Sequence, residues 1–60
     1  KEEVMDSLRR KCQSNAFRLS KLAKCEVQEI HGRFKPQKDM TEEELRRKLK
    51  IILAEAAKYA

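Results

Sequence analysis

A small all-α fold, an antiparallel bundle of three helices, is expected from three features of this chain. One Gly and one Pro among 60 residues leave little material for tight turns, which disfavours sandwiches and barrels. Apolar residues recur at three- and four-residue steps along two long stretches. A helix-capping signature opens the second of them. A chain of this length buries only about 60% of the surface it exposes when unfolded, so residues 1–60 form one small helical domain at most. Lys1 in place of an initiating Met leads us to expect a fragment of a larger protein.

The last third gives the plainest helix. Thr41 and Glu44 have the spacing of a capping box, and Met40 and Leu45 that of a hydrophobic staple. Glu42, Glu43 and Glu44 set negative charge at the positive end of the helix dipole. Leu45, Leu49, Ile52, Leu53, Ala56 and Tyr59 then fall on one stripe about 120° wide, with Arg46, Arg47 and Lys50 pointing away. The spacing predicts a helix over 42–59. Before it, Gly32 suits a left-handed helix end and Pro36 cannot continue a helix, so 32–40 reads as a loop. Phe34, apolar and central in that loop, is expected to fold back as a lid.

Residues 2–31 admit two arrangements. Val4, Met5, Leu8, Cys12, Ala16, Leu19, Leu22, Ala23, Val27 and Ile30 share an arc of about 140° on one unbroken helix. That favours a long helix paired with the shorter one as a hairpin. Gln13-Ser14-Asn15 is a weak helix-forming patch, however, and Ser14 or Asn15 suits an N-cap. Helices near 2–12, 15–31 and 42–59 follow, and the three-helix arrangement is preferred because it buries more apolar surface.

Charge is segregated along the chain. The net charge is +5, and residues 7–25 hold six basic side chains, Arg9, Arg10, Lys11, Arg18, Lys21 and Lys24, with no acid among them. On a wheel, Arg10, Lys11, Arg18, Lys21 and Lys24 lie opposite the apolar arc with Phe17 in their midst. Backbone phosphates and a stacking ring would use such a face, as would an acidic protein surface, and a merely solvated helix has the same pattern. No aromatic RNA-recognition motif, GxxG clamp or zinc-finger spacing accompanies it.

Apolar docking is the other route to function. Ile51 falls outside the C-terminal stripe, and with Phe34 and Met40 nearby it is expected to form a small exposed patch. The basic runs Arg9-Arg10-Lys11 and Arg46-Arg47-Lys48-Leu49-Lys50 are of the kind read by nuclear import.

Catalysis and metal binding are not expected. Cys12, Cys25 and His31 are spaced like no zinc site, and a short helical bundle offers no cleft for a Cys–His pair. On one helix Cys12 and Cys25 would stand roughly 20 Å apart, beyond disulfide reach, so a reducing compartment is expected. A membrane span is not expected, because no apolar run approaches the ~20 residues it needs. A membrane-surface role for the basic amphipathic stretch 4–30 is disfavoured, because its apolar arc is rich in Ala and Cys and a folded bundle would hide it. The expected function is a non-enzymatic docking module of an intracellular, nuclear regulatory protein. Its partner would present an acidic and apolar surface, and no cofactor or metal is required. Nucleic-acid backbone binding is the alternative, and homodimerisation the third.

Overall fold

The computed structural model describes residues 2–59 and contains three α-helices: α1 (Glu2–Ala23), α2 (Val27–His31) and α3 (Glu42–Ala57). A single 3-10 turn, Gln37–Asp39, lies in the loop before α3. Helix α1 packs against both α3 and α2, forming the small all-α bundle expected from the apolar periodicity.

The expected break at Ser14-Asn15 is absent. Asn15 Nδ2 donates 2.8 Å to the Lys11 carbonyl, one turn back, so its side chain bonds along the helix instead of capping a new one. Nor is there one helix to residue 31. Helix α1 ends at Ala23 because Lys24 turns into the left-handed region, with φ of 56°. The Cys25 amide then donates 2.9 Å to the Ser20 carbonyl, the long bond of a Schellman ending. Left-handed backbone therefore sits at a lysine, and not at Gly32, whose φ of −65° is ordinary right-handed helix.

Two apolar clusters show how the helices run. Leu8, Cys12, Met40 and Leu45 form one, flanked by Met5 and Leu49. Ala16, Leu19, Ile30 and Ile52 form the other, flanked by Ala23, Cys25, Val27 and Ala56. Early α1 thus meets early α3 and late α1 meets late α3. The two long helices run in the same direction, and α2 with its following loop carries the chain back. A two-helix hairpin, which would oppose them, is not what the chain adopts.

Helix α3 starts where its capping signature requires. Thr41 Oγ1 accepts from the Glu44 amide at 3.2 Å, and Glu44 Oε1 accepts from the Thr41 amide at 3.0 Å. The stripe that α3 buries is nonetheless rotated from the expected one. Leu45 and Ile52 are buried, as is Lys48, whereas Leu53 and Tyr59 are exposed. Met40, expected on the surface beside Ile51, is buried with 7% exposure as part of the first cluster.

Candidate functional site

Three surfaces carry the residues of interest, and α3 contributes to two of them. The first is a groove between α1 and α3. Leu8 and Lys11 line it from α1, and Arg46, Leu49, Lys50 and Leu53 from α3, bordering a shallow, open depression of about 310 Å³. A second hollow, lined by Glu3, Val4, Ser7, Leu8, Lys11 and Arg46, continues it toward the start of α1. Leu49 and Leu53 stand one turn apart, so both point to the same flank. The floor is aliphatic, with Leu53 47% exposed, and the rim carries Lys11, Arg46 and Lys50. Arg46 Nε already pairs with Glu42 at 3.1 Å. Lys11 and Lys50 take part in no ion pair among the described residues.

Sequence periodicity placed Leu53 in the core and so missed this groove. The rotation of α3 by roughly 40° about its axis, which brings Lys48 inward, turns Leu53 out. Of the residues expected to form an apolar patch, Ile51 is 48% exposed, Phe34 is half-buried and Met40 is inaccessible. Ile51 lies about 160° around α3 from Leu53, so the two exposed aliphatics serve different flanks.

The second surface is the outer face of α1. Arg10, Lys11, Arg18 and Lys21 are exposed there, and Lys24 is exposed in the left-handed turn just past the helix end. Phe17 is 54% exposed, and Lys21 Nζ stands 4.6 Å above its ring. Arg10 pairs with Asp6 at 3.1 Å. Arg9, by contrast, is half-buried with its Nε shielded and without a partner among the described residues.

The third surface surrounds Lys48, which the sequence places only in the basic run Arg46-Arg47-Lys48-Leu49-Lys50. Lys48 is 1% exposed, one of the largest fully buried side chains of the fold. Its Nζ donates to His31 Nδ1 at 3.0 Å and to Gln37 Oε1 at 3.2 Å, and lies 5.2 Å from the Phe34 ring centroid. Phe34 does fold back, then, but onto an ammonium. Desolvation pushes the Lys48 amine below its usual pKa. Burial and then the nearby Lys48 charge push the His31 imidazole down as well, so its protonated form is disfavoured at the end of α2. A signal for this burial exists in the sequence. Lys48 follows Leu45 by three residues and precedes Ile52 by four, the phase of a core position.

Two ion pairs strap the intervening loop to α3: Arg33 to Glu55 at 2.9 Å and Lys35 to Glu44 at 2.7 Å. Hydrogen bonds from Lys35 and from the Thr41 amide hold the Glu44 carboxyl down to about 2. Both cysteines are free thiols, Cys12 fully buried and Cys25 half-buried. No three metal-ligating side chains converge among the described residues, and no helix is long and apolar enough to cross a membrane. Comparison with protein-family models, curated proteins and solved structures gives no match.

Proposed function

We propose that this chain is a non-enzymatic docking module whose α1–α3 groove takes an acidic amphipathic helix of a protein partner. The observation that carries this reading is the groove's composition, an aliphatic floor of Leu8, Leu49 and Leu53 under a rim of Lys11, Arg46 and Lys50. Two packed helices present a valley suited to a third, and aliphatic side chains of the incoming helix fill it. The basic rim steers acidic partners and sets their register, while burial of the floor supplies the affinity. Ile51, on the other flank, is outside this contact.

The test is an amide NMR titration with a synthetic helical peptide carrying leucines on one face and glutamates beside them. Saturable shifts at Val4, Leu8, Lys11, Leu49, Lys50 and Leu53 are expected. Leu53→Asp should abolish them while leaving the helical spectrum intact, and Ile51→Ala should leave them unchanged. Absence of binding at low salt, or equal binding by Leu53→Asp, sinks the reading.

A second reading is supported by Phe17, whose exposure amid Arg18, Lys21 and Lys24 suits nucleic-acid backbone contacts with a stacking ring. It requires log-linear weakening with salt and sensitivity to Lys21→Glu, with none to Leu53→Asp. Titration with a short single-stranded RNA discriminates the two.

A further inference from the structure

Lys48 poses a charge problem that the fold leaves open. Its ammonium is buried, yet none of the five ion pairs among the described residues includes it. Its two hydrogen-bond acceptors, His31 Nδ1 and Gln37 Oε1, are neutral. An ammonium has three N–H donors, so one is left without an assigned acceptor. Burying a cation without a counter-charge is costly, and a ring face at 5.2 Å compensates only part of that cost.

A hollow of about 260 Å³ adjoins this amine, lined by Gln13, His31, Lys35, Pro36, Gln37 and Lys48. It is the place where all three helices and the loop converge: Gln13 comes from α1, His31 from α2, Lys35 to Gln37 from the loop, and Lys48 from α3. The hollow holds several times the ~30 Å³ that one liquid water occupies. Its lining contains two lysines and no carboxylate. With Nδ1 accepting from Lys48, the His31 proton resides on Nε2, which makes that nitrogen a donor too. The Gln13 and Gln37 amides add N–H groups. At the exposed edge Glu44 is bound to Lys35, and the Asp39 charge also acts on that lysine.

We propose that this hollow is a binding site for a phosphate-type oxyanion, with Lys48 as its buried charge, Lys35 at its mouth, and His31 and Gln13 as hydrogen-bond donors. A phosphate dianion supplies the counter-charge that Lys48 lacks and competes with Glu44 for Lys35. The site lies on the side of α3 turned about 140° from Leu53, and is independent of the docking groove. Free inorganic phosphate and the phosphomonoester of a modified peptide share this chemistry.

The experiment is a titration of the chain with sodium phosphate against sodium chloride at matched ionic strength, followed by amide, imidazole and ³¹P NMR. Phosphate-specific, saturable shifts are expected at Gln13, His31, Gln37 and Lys48. Lys48→Met should eliminate them, Lys35→Met should weaken them about tenfold, and Lys58→Met should leave them unchanged. Because Lys35 is exposed, its variant remains informative even if Lys48→Met alters the fold. A phosphoserine peptide that binds more tightly than inorganic phosphate assigns the site to modified peptides, and equal affinity assigns it to the free anion. Shifts that follow ionic strength whatever the anion, shifts centred on Arg10–Lys24, or undiminished binding by both variants would overturn the proposal.

Discussion

Lys48 Nζ stands 3.0 Å from His31 Nδ1, a buried ammonium donating to a neutral imidazole. The pair ties α3 to the end of α2, and it persists only while the imidazole stays unprotonated. A second proton on His31 would occupy the lone pair that Lys48 uses and set two cations side by side.

Stability should therefore fall on mild acidification. The His31 pKa is lower in the folded chain than its ordinary 6.5, so below that pH the unfolded state takes up the proton first and is favoured. The loss begins near pH 6.5 and levels off below the folded pKa. A second loss follows in the same direction, as Glu44, held at about 2 against its ordinary 4.5, is protonated first in the unfolded chain. Urea unfolding between pH 3 and 8 should resolve the two steps, and His31→Gln should remove the upper one. A flat profile from pH 8 to 5 would show that the pair contributes nothing.

Replacing Lys48 by Met should stabilise the fold at neutral pH by about 1–3 kcal/mol. Methionine retains much of the buried stem, and the desolvation cost of the ammonium disappears. A less stable variant would show that the contacts to His31, Gln37 and Phe34 outweigh desolvation.

The left-handed Lys24 gives the simplest backbone test. Gly occupies that region without a Cβ penalty, so Lys24→Gly should raise stability by about 0.5–1 kcal/mol despite a more flexible unfolded chain. Lys24→Val should lower it. Equal stabilities by denaturant unfolding would mean that the turn is not held in this geometry.

The two thiols should differ in reactivity. Half-buried Cys25 should react with a thiol reagent in the native state, and Cys12 only through unfolding. Burial raises the Cys12 pKa, with Lys48 pulling partly back, and its thiol donates to the Leu45 carbonyl at 3.5 Å. Mass spectrometry after brief alkylation reads the order, and simultaneous labelling would contradict it.

Local chemistry made several features legible from the residues alone. The Thr41–Glu44 box and the three glutamates after Thr41 mark the start of α3, because capping groups and dipole act within a single turn. Leu8, Cys12, Ala16 and Leu19 mark the buried face of α1 by their repeat. The basic stretch of α1 and the exposure of Ile51 were equally visible.

Other features depend on distant neighbours. Asn15 looked like a cap, yet it sits mid-helix, bonded to Lys11, because unbroken α1 gives both apolar clusters a continuous face. The end of α1 falls at Lys24, where no sequence signal marks a left-handed residue, because turning there brings Val27 and Ile30 back onto Leu19 and Ile52. The phase of α3 follows from the same packing. With α1 on one side and α2 with its loop on the other, Lys48 lies inside and Leu53 on the flank, although Leu53 is the more apolar. Periodicity and capping are interactions of a residue with the next turn of its own helix, so the order of residues determines the helical class and the start of α3. Which stripe each helix buries, where α1 stops, and that a groove and a buried ammonium result are decided by how the helices meet, a relation among residues tens of positions apart.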